Sequence, residues 1–152
     1  MLEFQDVNDV GLSEQRGPIF VTVAYVAVYY ALLLYNLRVK KTLGRAYKQR
    51  GEHFDRYFGQ DRVMLAADRY VLNTLEHMPP FLCLLWLHAI FAGPLGATVA
   101  GSVYVGTRVA YPFLMGRRLE LRLPGRLLVA TFTGYAVLTY LAAAICWAVA
   151  RR

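Results

Sequence analysis

Three stretches of this chain carry no charged residue, and their lengths constrain the fold more than any other feature. They are "GPIFVTVAYVAVYYALLLYNL" (17–37), His77 through Thr107, and Leu127 through Ala150. A helix of roughly 20 residues crosses a hydrocarbon core about 30 Å thick, so each block can span a bilayer. Apolar residues make up 57% of the 152, yet the formal net charge is +7. In a soluble domain the two kinds interleave. Here they segregate, and an integral membrane protein follows.

The middle block is too long for one crossing, and "AGPLG" (92–96) breaks it with turn chemistry. The expected fold is therefore all-α, a four-helix transmembrane bundle with spans near 18–37, 66–92, 96–116 and 126–150. An acidic segment, 1–17, precedes the 18–150 membrane domain. No basic n-region and cleavage site lead into the first span, so no signal peptide is expected. Loop 38–62 and the connection 117–126 are rich in Lys and Arg, while the 92–96 hairpin is neutral. The positive-inside rule places the two basic loops in the cytoplasm. That surplus is explained by topology and anionic lipid, and no basic-aromatic soluble module suggests nucleic acid. Cys83 and Cys146 sit singly inside apolar spans, show no metal-ligand spacing, and are expected as small core residues.

Polar groups inside the spans carry the functional signal. "ADRYVLNTLEHMPPF" (67–81) puts Arg69, Asn73 and Glu76 on one helix face, with His77 beside them. "YVGTRVAYPFLMG" adds Arg108 and Tyr111, with Pro112 able to kink the helix. Arg38 and Asn36 close the first span, and Arg122 precedes the fourth. All are expected near the cytoplasmic ends of their helices. Some have ordinary structural explanations: Arg38 can snorkel to headgroups, and Glu76 can pair with Arg69 or, within the bundle, with Arg108. His88 fits a packing role, as do the tyrosines at 25, 29, 30 and 35. Even so, four arginines (38, 69, 108 and 122) outnumber the available carboxylates. Such a surplus suits a small anionic ligand with more than one carboxylate.

"RYVLNTLEHMPPF" has the form Arg-x3-Asn-x2-Glu-aromatic-x-Pro-x-Phe, with His77 at the aromatic position. It resembles the second-helix motif of the membrane-associated proteins in eicosanoid and glutathione metabolism, the MAPEG family. "TRVAYPFLMGRRLELR" resembles that family's third-helix end: arginine, tyrosine three later, arginine fourteen after the first. The resemblance covers 18–150. It implies a homotrimer of four-helix subunits that binds glutathione, as co-substrate, between neighbours near the cytoplasmic side. Arg38, Arg69, Asn73, Glu76, His77, Arg108 and Tyr111 would form the glutathione site. Arg122 would be catalytic, stabilising the thiolate for attack on a lipophilic electrophile arriving from the bilayer. Three positions depart from the family pattern: Val71, Val39 and Met115 stand where polar residues are expected. They keep open an alternative, a non-enzymatic lipid-binding protein or structural subunit of a membrane complex. Small-residue pairs Ala97/Gly101 and Ala130/Gly134, four apart, are expected ridges for close helix contact between subunits, or else within one.

Overall fold

The computed structural model of the chain describes residues 3–120 and 124–151, with side chains from residue 13 onward. Four helices account for nearly all of it: α1 Glu3–Gln49, α2 Arg62–Phe91, α3 Pro94–Met115 and α4 Gly125–Ala150. α1 is longer than the hydropathy pattern suggests. It passes through Pro18 without ending and continues twelve residues beyond Leu37 as a charged helix, roughly 70 Å in all. α2 starts at an Asp61 cap, whose carboxylate accepts from Val63 N (2.8 Å) and Met64 N (3.2 Å). The α2–α3 turn is Ala92–Gly93, where Gly93 takes φ 128° and Pro94 opens α3 at a position needing no donor.

α1 packs on α2 and α3, and α4 packs on the same two, so α1 and α4 occupy opposite corners without contact among the described residues. Within the bundle lie two apolar clusters. One joins Val21, Tyr25, Phe81, Leu85, Ala89, Ala97 and Tyr104; the other joins Ala66, Tyr70, Tyr111, Met115 and Leu127 at the basic-loop end. Between them in sequence, on both α2 and α3, comes a polar layer of Asn73, Thr74, Thr107 and Arg108. Pro79 and Pro80 interrupt the α2 hydrogen-bond ladder just beyond this layer. The Tyr25 hydroxyl donates to the Thr74 carbonyl at 2.7 Å, tying α1 to α2 there.

α1 and α4 are long and apolar enough to cross a membrane on length and hydropathy alone. α2 carries Asp68, Arg69, Asn73 and Glu76, and α3 carries Arg108, among their apolar residues.

Several expectations need correction. The small-residue ridges are not on the subunit surface: Ala97, Gly101, Ala130 and Gly134 are all buried inside it. A Cβ at Gly101 would lie 2.7 Å from Val21 Cγ1 and 2.8 Å from Leu85 Cδ1, so this glycine lets three helices of one subunit close up. Cys83 and Cys146 are free and exposed rather than in the core. His88 does pack, against Tyr140 with ring centroids 5.5 Å apart, but only Nδ1 is within reach of an acceptor, the Gly93 carbonyl at 3.2 Å. Its Nε2 is buried without a protein partner. Of the span-one tyrosines, Tyr25 is fully buried, whereas Tyr30 and Tyr35 face outward.

Candidate functional site

Arg108 is the most informative side chain in the bundle. It lies seven residues before the end of α3, about 10 Å into the bundle, and is 2% exposed. Its Nη1 donates to Asn73 Oδ1 at 2.8 Å and its Nε to Thr107 Oγ1 at 3.2 Å. The guanidinium carbon stands 5.0 Å from the Tyr104 ring centroid and 5.9 Å from that of Tyr111, within cation–π range. The expected Glu76–Arg108 ion pair is absent. Asn73, one turn earlier on α2, is level with the guanidinium and takes the bond, while Glu76 faces outward.

Asn73 therefore links interior and surface. It is half-buried, and the residues either side of it on the helical stripe, Arg69 and Glu76, are exposed. The ion pairs found among the described residues are Lys40–Asp68 and Arg50–Glu52, so neither Arg69 nor Glu76 is neutralised by a described residue. Arg38, at the end of the first apolar block, is likewise exposed and has no ionic partner among the described residues. His77 is half-buried, its ring 5.7 Å from that of Tyr135 on α4. Tyr111 is buried in the cluster at the basic-loop end. Arg122 lies outside the described residues. The structure thus brings Asn73, Arg108 and Tyr111 together, and leaves Arg38, Arg69 and Glu76 on the outer face. The polar level also runs deeper than the helix ends that hydropathy indicated.

Asp68 was missed by reading the stripe alone. Its carboxylate meets Lys40 Nζ at 2.8 Å and accepts from Asn36 Nδ2 at 2.8 Å. Asn36 and Lys40, four apart on α1, were the available signal: an amide and an ammonium one turn apart on one face, where the apolar block gives way to the charged one, call for an acceptor opposite. This clamp fixes α1 against α2 one residue from Arg69. Tyr70 does similar work on the other side, its hydroxyl donating to the Gly116 carbonyl, while Leu119 N donates to Arg62 O at 2.9 Å. Residues 116–119, which follow α3, are thereby held over the start of α2.

An apolar cleft of about 500 Å³ opens between α1 and α3 at the same end, lined by Val28, Leu32, Tyr35, Tyr70, Val109 and Phe113, with Arg117 at its rim. None of the stripe residues lines it.

Compared with known protein families, residues 18–150 match the MAPEG family. No curated protein matches the chain.

Proposed function

This chain belongs to the MAPEG family, and from that premise we propose that it activates the thiol of glutathione for attack on a lipophilic electrophile. The observation that carries the reading is unpaired charge. Arg38, Arg69 and Glu76 stand exposed on membrane helices without an ionic partner among the described residues. Ionised groups in such positions need a polar counterpart. Glutathione supplies one, with a carboxylate at each end, an α-amino group and two peptide links. Arg38 and Arg69 would take the carboxylates, Glu76 the amine, and Asn73, His77 and Tyr111 the remaining polar atoms. A homotrimer would complete the site by setting the α2 stripe of one subunit against α1 of the next. The basic loops then face the cytoplasm, where glutathione is plentiful.

The chemistry asked of the chain is modest. A thiol of pKa about 8.5 is mostly protonated at neutral pH, and a guanidinium near sulfur favours the thiolate. Arg122 is assigned that role. The thiol proton leaves to solvent, the sulfur lone pair forms a bond to the electrophilic carbon, and the displaced group departs with its electron pair. With a hydroperoxide the same thiolate attacks the terminal oxygen and forms an S–O bond. The O–O bond breaks, and the alkoxide takes a proton from solvent and leaves as the alcohol. The glutathione sulfenic acid then condenses with a second glutathione thiol to give the disulfide and water.

The test is thiolate absorbance on adding glutathione to the purified protein. A signal in the wild type that is lost in Arg122→Ala supports the reading, and no binding at millimolar glutathione rejects it. One observation favours a second reading, a non-enzymatic lipid-binding protein or structural subunit. Val71 and Met115, which replace polar family positions, are apolar and give a ligand no hydrogen-bonding side chain there.

A further inference from the structure

We propose that Arg108 is a positioning residue, which holds the Asn73 amide so that its NH2 group is presented to the polar stripe, in space that glycine at position 134 leaves open. The ligand served by that NH2 rests on the glutathione reading above; the lock itself does not.

Arginine has donors only, so the atom of Asn73 that meets Arg108 Nη1 at 2.8 Å must be the oxygen. The usual ambiguity between amide oxygen and nitrogen is thereby resolved by chemistry. Once the oxygen is engaged, Nδ2 is turned away from Arg108, and it donates to no acceptor among the described residues. It lies on the same stripe as Arg69 and Glu76, where a carboxylate or peptide carbonyl of the ligand would receive it.

Arg108 is itself immobilised on three sides. Thr107 Oγ1 accepts from Nε, and that hydroxyl in turn donates to the Tyr104 carbonyl at 2.7 Å. The Tyr104 ring covers the guanidinium. On the fourth side comes α4, and here the sequence has Gly134: a Cβ at that position would lie 2.8 Å from Nη2 and 3.6 Å from the Tyr104 ring. Even alanine would press on the guanidinium. At 2% exposure Arg108 offers a ligand almost no surface, and assembly with other subunits can only cover more. It acts through Asn73, not by touching glutathione.

Three variants test this on the full-length protein in detergent micelles: Arg108→Met, Gly134→Ala and Asn73→Asp. The readouts are the Asn73 side-chain amide resonances under asparagine-selective nitrogen-15 labelling, the glutathione Kd and the pH profile of turnover. In Arg108→Met and Gly134→Ala the Asn73 resonances should move toward those of free asparagine. Kd and KM for glutathione should rise about tenfold, the scale of one hydrogen bond to a charged group, without a shift in the pH profile. Asn73→Asp still accepts from Arg108, so the thermal midpoint should hold or rise while glutathione binding is lost. Unchanged Asn73 resonances in Arg108→Met would overturn the lock, as would wild-type glutathione affinity in Asn73→Asp. If Arg108→Met does not fold, Gly134→Ala and Asn73→Asp decide alone. If the wild type binds no glutathione, the glutathione reading falls, and the resonances still judge the lock.

Discussion

The carboxylate of Asp61 receives three hydrogen bonds, from Val63 N, Met64 N and the Tyr47 hydroxyl at 3.0 Å. Partial burial pushes its pKa up, but the backbone donations from Met64 and Val63, with Tyr47 and the nearby Arg118, outweigh that and hold it below the usual carboxylate range. A depressed folded-state value means its stabilisation is complete above about pH 4, the unfolded value, and is lost as pH falls through the lower folded value. Asp61→Asn should keep most of the cap and remove this acid sensitivity. Asp61→Ala should cost about 1 kcal/mol at neutral pH, read from thermal midpoints across pH. Glu76 leads to the opposite expectation. It is exposed and holds no cation among the described residues, so Glu76→Gln should change the thermal midpoint of the protein without glutathione by under about 0.5 kcal/mol equivalent, the usual surface range. A large drop would mean that a neighbouring subunit supplies its cation. The stripe 69–73–76 could be read from spacing. The partners of Asp68 and Gly134 could not be read from spacing on their own helix, since each lies on another: Asn36 and Lys40 for one, Arg108 for the other.

Among the elements, α1 and α3 show where patterning succeeds and where it stops. Uncharged length reveals a span, but it says nothing about helix that continues in water. α1 runs on to Gln49 because "RVKKTLGRAYKQ" contains neither a proline nor a terminating turn, and Tyr47 finds Asp61 and the Phe54 ring, the latter at 5.3 Å. Small residues at four-residue spacing mark a close approach without saying which helix approaches. Both ridges turn inward here. Gly101→Ala should therefore destabilise by about 1–3 kcal/mol, because its Cβ meets Val21 and Leu85 inside one subunit. Oligomer mass in detergent should be unchanged. A mass change with an unchanged midpoint would return this ridge to the subunit surface. Asp68→Ala probes the α1–α2 contact: it leaves buried Asn36 without its acceptor and Lys40 without its counter-ion, a loss of about 1–3 kcal/mol by thermal unfolding.

On the scale of the whole molecule, the two apolar clusters and the polar layer between them set what an assembly must accomplish. Among the described residues α1 and α4 do not touch, and Arg38, Arg69 and Glu76 project from α1 and α2 without an ionic partner. A lone subunit in a bilayer would leave those charges facing hydrocarbon, at a cost of about 2.5–3.5 kcal/mol for a central Arg and less near the interface. Packing subunits so that α2 of one meets α1 of another would relieve that cost, and would enclose a water-filled, cation-rich site of the kind proposed above. The expected state in mild detergent is thus a trimer held by polar contacts rather than by glycine ridges. Such an interface is sensitive to charge. Arg69→Glu would set like charge beside Glu76 and should lower trimer stability, whereas Gly101→Ala leaves the interface untouched. Glutathione, bound across the interface, should raise the trimer's thermal midpoint as its concentration passes Kd, by RT ln(1 + [L]/Kd), about 2.7 kcal/mol at a hundredfold excess over Kd. Native mass and thermal unfolding at graded glutathione measure both effects together. A monomer that forms the thiolate and gains the same stability would show that the site is complete within one subunit, and that the exposed charges need some other partner.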